Sequence, residues 1–326
     1  MSRPLLEVRD LSVEFPTEDG VVRAVENVSF SLPSGARLGV VGESGSGKST
    51  TALALMGMIR PPGRVASGSA LLDGRDLLAL DDAAKRGARL RDIAYVPQGA
   101  MNSLNPVATV GAQLRDAVRA HEQGSTRAAL DRRVAEALGD VDLDPGVARF
   151  YPHELSGGMK QRACIAIGLV LGPRLVIADE PTSALDVVTQ RHVMETLGKA
   201  QRRLGSGLIL IGHDMGLMAQ FVDRLAVMYA GRLIEFGPME RLFRAPRHPY
   251  TRALIAAVPT LANRGRLEGI PGVTPSLRRL PPGCAFAPRC PHAFAPCPRI
   301  RPELRESDAG HGAACHLWDP DHAAAA

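Results

Sequence analysis

The sequence predicts an α/β fold, a largely parallel sheet covered by helices, and three observations carry that expectation. From Arg174 the chain alternates in type: an apolar run Leu175–Ala178, a helical stretch over 187–204, a second apolar run Leu208–Gly212, and a helical stretch Met215–Phe221. Alternation of this kind builds parallel sheets with helices on their faces. Gly42-Glu43-Ser44-Gly45-Ser46-Gly47-Lys48-Ser49 lies between a predicted strand, Leu38–Val41, and a predicted helix, Lys48–Met58. That is the setting in which G-x-x-x-x-G-K-[ST] cradles phosphates. Far downstream, Leu155-Ser156-Gly157-Gly158-Met159-Lys160-Gln161-Arg162 is a second glycine turn opening a helix, with no obvious phosphate partner in its own chain.

The remaining elements follow in order. Residues 5–42 read as strands, with a turn at Glu18-Asp19-Gly20, and Pro61-Pro62-Gly63 stops the helix after the phosphate loop. Residues 98–170 read as mostly helical, with breaks at Gly124, Gly139 and Asp144-Pro145-Gly146. Residues 246–326 are rich in Pro, Arg and His, hold four of the five cysteines, and read as a separate, irregular Cys-rich C-terminal appendage.

Composition sets outer bounds. The 326 residues are 45% hydrophobic and 22% charged, as in soluble globular proteins. The excess of 39 Lys+Arg over 34 Asp+Glu is mild and fits a polyphosphate ligand, a membrane surface or scattered solvated charge. No apolar run approaches the ~20 residues of a spanning helix and no signal-peptide core is seen, so a cytosolic chain tied to a membrane only through partners is expected. Five cysteines without a secretion signal argue against a disulfide scaffold.

In the phosphate loop, Gly42, Ser44, Gly45 and Gly47 let backbone N–H groups curl around phosphates at a helix N-terminus, where Thr50 follows. Lys48 is placed to reach the β- and γ-phosphates and Ser49 to ligate Mg²⁺. The matching acids come at the end of the run Leu175–Ala178, where Asp179 suits the Mg²⁺ shell and Glu180 suits a base that polarises water. An acidic pair after a strand is also found in plain solvated turns. Gln98 and His213 both follow apolar runs and fall where parallel strands present groups to a ligand, or they are structural hydrogen-bonders. Phe15 either stacks on a base or belongs to the core.

Cys284, Cys290, Cys297 and Cys315 follow C-x₅-C-x₆-C-x₁₇-C among prolines. Four thiolates fit zinc or an iron–sulfur cluster, with gaps wider than the C-x₂-C pairs usual in zinc ribbons. His292, His311 and His316 lie near enough to replace a ligand and otherwise read as exposed; Cys164 reads as a small buried apolar residue. The arginines of this region lack interleaved aromatics and a recognition helix, so no nucleic-acid partner is expected.

Taken together, these residues resemble the ATPase domain of ABC transporters over about residues 5–245. The matching segments are the Walker A loop at 42–49, Gln98 as Q-loop, Leu155–Gln161 as signature, Leu175–Glu180 as Walker B, Ser183-Ala184-Leu185-Asp186 as D-loop, and His213 as switch histidine. The resemblance implies a P-loop NTPase core at 1–245, with an antiparallel β subdomain and a helical subdomain over about 98–170. It implies head-to-tail pairing, each ATP held between the Walker A loop of one subunit and Ser156, Gly157 and Gly158 of the other. It also implies His213 on the γ-phosphate, Phe15 on adenine, Asp186 at the nucleotide, and Mg²⁺ held by Ser49, Gln98 and Asp179.

Tyr95-Val96-Pro97-Gln98-Gly99-Ala100-Met101-Asn102-Ser103-Leu104-Asn105-Pro106, Tyr151-Pro152-His153-Glu154, Pro246-Arg247-His248-Pro249-Tyr250-Thr251 and Pro281-Pro282-Gly283-Cys284 resemble the dipeptide/oligopeptide/nickel importer branch. That branch implies a second, homologous but different ATPase subunit, two transmembrane permease subunits, an extracytoplasmic solute-binding protein, and a peripheral place on the cytoplasmic face of the inner membrane. It also implies a [4Fe–4S] cluster on Cys284, Cys290, Cys297 and Cys315, with Zn²⁺ as the alternative. Peptides are the expected cargo, nickel or another small solute the alternative. A soluble, non-transport ABC ATPase is the rival class, disfavoured by the single Walker A loop and the lack of sustained heptads.

Overall fold

A computed structural model describes residues 3–99, 103–183, 185–258, 269–307 and 310–319. Ala184 of the expected D-loop, and Ala100, Met101 and Asn102 after Gln98, lie outside the described residues.

The chain opens with strands β1 (Leu6–Thr17), β2 (Gly20–Leu32) and β3 (Arg37–Val41). Leu6 and Val8 of β1 and Val28, Phe30 and Leu32 of β2 are buried in period-two alternation, which shifts of register interrupt elsewhere along the pair. Helix α1 (Lys48–Leu55) ends before the expected Met58, because Gly57 already turns with φ +59°. Then come β4 (Arg64–Leu72), β5 (Arg75–Asp76), α2 (Asp82–Ala88) and β6 (Ile93–Val96).

The helical stretch contains α3 (Val110–Arg119), α4 (Arg127–Asp140) and α5 (Gly157–Leu169). Thr109, Thr126 and Ser156 cap these with side-chain oxygens on the third backbone N–H, which satisfies donors that a helix start leaves open. Gly139 does not break α4. The turn comes just beyond, at Asp142 with φ +54°.

Next are β7 (Leu175–Asp179), α6 (Val187–Leu204), β8 (Gly207–Gly212) and α7 (Met215–Phe221), the expected alternation. Periodicity did not single out β9 (Arg224–Tyr229) and β10 (Arg232–Pro238), joined by Ala230-Gly231, both at positive φ as a tight hairpin demands. The order closes with α8 (Met239–Arg244), α9 (Pro249–Ala256), β11 (Arg305–Ser307) and β12 (His311–Ala313).

These elements form two compact units. One comprises Met1–Leu32, Arg37–Ala79 and Ile211–Ala326. It contains the antiparallel sheet β2-β1-β4-β5 and the strand series β11-β12-β10-β9-β3. In the latter β3 and β9 are parallel, and β10 pairs antiparallel with both β9 and β12. The other unit, Pro33–Ala36 with Leu80–Leu210, gathers helices α3 to α6 and the order β8-β7-β6. There β6 runs parallel to β7 with Ile93 opposite Leu175, and Leu175–Ala178 are fully buried.

The C-terminal segment is not the separate appendage expected from composition. Strand β12 covers the outer edge of β10, with Glu235 opposite Ala313 and Phe236 opposite Gly312. An uncovered edge there would leave a row of backbone donors and acceptors open. The fully buried Glu235 tightens the join by accepting from the backbone N–H groups of Arg247 (2.7 Å) and His248 (2.9 Å), and it pairs with His311 Nε2 at 2.8 Å. Hence His311 is buried, against the expectation of an exposed side chain, and so is His316, whose Nε2 lies 2.8 Å from the Ile300 carbonyl.

Candidate functional site

The loop Gly42–Gly47 is shaped by what its glycines allow. Gly42 (φ +151°) and Gly47 (φ +98°) are the two constrained positions: a Cβ would sit 2.2 Å from the Met228 carbonyl oxygen in the first case and 2.4 Å from that of Ala24 in the second. Both are backbone neighbours, so no larger residue keeps this loop. Lys48 is buried, and its Nζ donates to the carbonyls of Gly42 (2.7 Å) and Glu43 (2.9 Å) and to Ser46 Oγ (3.4 Å). The ammonium thus gathers two backbone carbonyls and one hydroxyl at the N-terminus of α1. Ser44 and Gly45 are exposed, while Ser49 and Thr50 are half-buried on the first turn. A cavity of about 460 Å³ adjoins the loop, lined by Phe15, Ser44 and Gly45 together with Thr274–Arg278.

In the other unit, Asp179 ends the buried strand β7 and is itself buried. The Tyr95 phenol donates to Asp179 Oδ2 at 2.9 Å. Burial first, and then the charge of Asp179, push the Tyr95 pKa upward, so the phenol keeps its proton and remains a donor. Glu180 follows with φ +45°, a left-handed conformation that costs a non-glycine residue roughly 1 kcal/mol or more. Its Oε2 accepts from Gln98 Nε2 at 2.9 Å, so the ends of β6 and β7 present an amide and a carboxylate as a pair.

Ser156 caps α5, its Oγ accepting from the Met159 N–H at 3.3 Å. Ser156 is exposed, Gly157 and Gly158 are half-buried, and Leu155 packs inward. A Cβ on Gly158 would lie 2.6 Å from Thr189 Cγ2, which ties the turn to the start of α6. Asp186 caps α6 from the surface, accepting from the N–H groups of Val188 (3.1 Å) and Thr189 (3.0 Å) and from the Thr189 hydroxyl (2.6 Å). The Thr189 hydrogen bonds hold its carboxyl below the usual range. His213 is exposed directly after β8.

The expected site residues therefore divide between the units. Phe15, Gly42, Ser44, Gly45, Gly47, Lys48, Ser49, Thr50 and His213 belong to the first; Gln98, Ser156, Gly157, Gly158, Asp179, Glu180 and Asp186 belong to the second.

Four thiols converge near the C-terminus. Cys284, Cys290, Cys297 and Cys315 line one small cavity with His248, His292 and His316. Burial raises the pKa of Cys284, Cys290 and Cys315, the last to about 12, and the neighbouring sulfurs raise them further. Although they share a cavity, among the described residues no group of three or more His, Cys, Asp or Glu is placed as metal ligands, so the structure itself does not show the expected [4Fe–4S] cluster or a zinc site. Cys164 is buried in α5, its pKa pushed up to about 12 by burial, the behaviour of a small apolar side chain.

Several residues of the site had no sequence signal. Tyr95 sits in an apolar strand, where an aromatic reads as core. Glu43 occupies a variable position of the phosphate loop. Arg289 stands among scattered arginines, yet is buried against Glu43.

Residues 25–183 match the family model described as ABC transporter, and residues 234–297 match that of the oligopeptide/dipeptide transporter, C-terminal region. The chain is 45% identical over 303 residues to the dipeptide transport ATP-binding protein DppD of Haemophilus influenzae, covering 92% of each chain. It is 43% identical over 318 residues to the oligopeptide transport ATP-binding protein OppD of the same organism, covering 97% of each. Among solved structures it resembles a dimeric bacterial ABC transporter cassette, with a TM-score of 0.64 and 25% identity over 72% of this chain and 98% of that one. A post-hydrolysis dimer of such a cassette, bound to ADP and Pi, matches with the same values.

Proposed function

Because the chain belongs to the ABC transporter ATPases, in the family of dipeptide and oligopeptide transport proteins, we propose a division of labour among its residues. The protein is the ATP-hydrolysing subunit that powers a peptide importer. The observation that carries the residue assignment is the pair of hydrogen bonds from Lys48 to the Gly42 and Glu43 carbonyls. A buried ammonium at a helix N-terminus, with the exposed residues Ser44 and Gly45 beside it, is an anion site built before the anion arrives.

In this reading Lys48 and the loop N–H groups take the triphosphate of ATP, and Phe15 takes the base. Ser49, Asp179 and Gln98 would hold Mg²⁺ through hard oxygen donors of the kind it selects, and the ion would supply positive charge to offset that of the phosphates. Tyr95 fixes one Asp179 oxygen by hydrogen bond, which orients the carboxylate. Glu180 orients and deprotonates the attacking water, Gln98 holds Glu180 until nucleotide is bound, and His213 contacts the γ-phosphate. Ser156, Gly157 and Gly158, with open N–H groups at the start of α5, grip the γ-phosphate of a nucleotide carried by a second ATPase subunit. Asp186 caps α6 beside that turn.

No helix among the described residues is long and apolar enough to cross a membrane. As a peptide-transporter ATPase it works with membrane permeases. The finer reading is a homologous second ATPase chain, two permease subunits and an extracytoplasmic solute-binding protein, with this chain on the cytoplasmic face of the inner membrane. The finer reading of the C-terminal thiols is that Cys284, Cys290, Cys297 and Cys315 hold a [4Fe–4S] cluster. Four thiols lining one cavity support it in number and chemistry.

Nucleotide binding by Lys48→Ala tests the central assignment. The variant should lose at least about tenfold in ATP affinity, since the anion site loses its charge. Wild-type affinity in that variant would remove the phosphate loop from the mechanism.

A further inference from the structure

The cavity beside the phosphate loop has a wall that the N-terminal strands do not supply. Thr274, Pro275, Ser276, Leu277 and Arg278 line it together with Phe15 and the loop. That wall is anchored through one carboxylate. The Thr274 hydroxyl donates to Glu43 Oε2. Arg289 meets Glu43 with both arms, Nη1 to Oε2 at 2.8 Å and Nη2 to Oε1 at 3.1 Å.

Arg289 is a junction. Its side chain is only 6% exposed. Its Nε donates to the Pro271 carbonyl (2.8 Å), its Nη2 to that of Ile270 (3.3 Å), and its Nη1 to the Tyr229 hydroxyl (3.1 Å) and Thr274 Oγ1 (3.3 Å). The planar fork matches a carboxylate in a way a lysine does not. Behind it, the rings of Tyr229, Tyr250 and Phe286 pack with centroids 4.7–5.4 Å apart. The Tyr250 hydroxyl accepts from the Glu43 N–H at 2.9 Å. Burial alone would raise the Glu43 pKa, but the hydrogen bonds from Arg289 and Thr274 hold it low. The Glu43 carbonyl in turn accepts from Lys48.

The geometry points to Thr274–Arg278 as the second wall of the ATP pocket, and to Arg289 as the positioning residue that fixes this wall and Glu43 against the phosphate loop. Pro275 and Leu277 offer apolar surface for a flat purine, and the Ser276 hydroxyl offers a hydrogen bond to a ribose hydroxyl. The C-terminal segment thereby sets nucleotide affinity. The inference rests on the ATP-binding reading of the phosphate loop.

The test uses the full chain, with ATP affinity read by titration of a fluorescent ATP analogue, and hydrolysis read in the assembled transporter. Arg289→Gln should weaken the Kd and KM for ATP by about tenfold or more, because it leaves a part-buried carboxylate unpaired. Its kcat at saturating ATP should stay within about twofold, since Arg289 touches no reacting atom. Arg289→Lys should fall between, and Leu277→Ala should weaken ATP by about threefold to tenfold. Arg305→Gln breaks a C-terminal ion pair with Asp319 away from the cavity and should bind ATP like wild type. Wild-type ATP affinity in both Arg289→Gln and Leu277→Ala would overturn the inference. If Arg289→Gln does not fold, Leu277→Ala decides alone. A wild-type chain that binds no ATP at all would instead defeat the underlying reading.

Discussion

Gln98 donates its side-chain amide to Glu180 across the ends of two neighbouring parallel strands, at 2.9 Å. If Glu180 is the base, as proposed, this hydrogen bond holds it until nucleotide binds. Glu180→Gln should retain ATP binding while hydrolysis drops by roughly 10²- to 10⁴-fold, the usual worth of a general base. Parallel binding and phosphate-release measurements on the assembled transporter check this. Undiminished turnover would sink the assignment.

Gln98→Glu makes the complementary prediction. Two carboxylates at hydrogen-bond distance cannot both ionise freely, so one must titrate higher. The acid limb of the hydrolysis pH profile should move upward by about one unit or more. An unmoved limb would mean that the two side chains separate before catalysis.

Gly158 is expected to be intolerant for a local reason. The Cβ of Gly158→Ala would overlap Thr189 Cγ2, and such overpacking costs about 1–3 kcal/mol or displaces α5. Hydrolysis by the assembled transporter should fall at least about tenfold, with ATP binding at the phosphate loop unchanged. Adding Thr189→Ser keeps the hydroxyl that bonds Asp186 at 2.6 Å and removes the clashing methyl. The double variant should recover part of the loss; no recovery would place the fault elsewhere.

His248 is almost wholly buried and accepts the Tyr250 N–H on Nδ1 at 3.1 Å, a bond open only to the neutral ring. Burial brings its pKa down to about 4 from the usual 6.5, with the Glu235 charge opposing. Between those values the unfolded chain binds more protons than the folded one. Stability should therefore fall as pH drops from 6.5 towards 4, by up to about 3 kcal/mol from this residue. His248→Asn keeps a capping acceptor without titrating there. Denaturant midpoints across that range should show a flatter slope for the variant.

The thiol assignment is open to chemical analysis. Anaerobically purified protein should carry about four iron and four sulfide per chain, and Cys284→Ser should lower both. Colourless protein with one zinc per chain would refute the cluster. Buried thiols with raised pKa should react slowly with alkylating reagents at neutral pH when no metal is bound.

Much of this could be read in advance because the decisive signals are local. The phosphate loop, the run Leu175–Ala178 ending in two acids, and the Ser156 cap each declare themselves within ten residues. Strands β9 and β10 did not, because buried strands on both faces lose the alternation that marks a half-exposed one. The C-terminal segment misled for a different reason. Its irregular, proline-rich composition describes its backbone, whereas its attachment depends on pairs such as Glu43–Arg289 and Glu235–His311, separated by 246 and 76 positions. Nothing in the neighbourhood of either residue announces such a partner.

The pairing of β12 with β10 gives the order of synthesis a meaning. The phosphate loop leaves the ribosome early, but the arginine that steadies Glu43 emerges 246 residues after it, and the strand that shields β10 later still. A chain released after α9 carries every ATPase motif and still exposes a raw sheet edge. Closure of that edge therefore waits for a segment that carries none of the ATPase motifs.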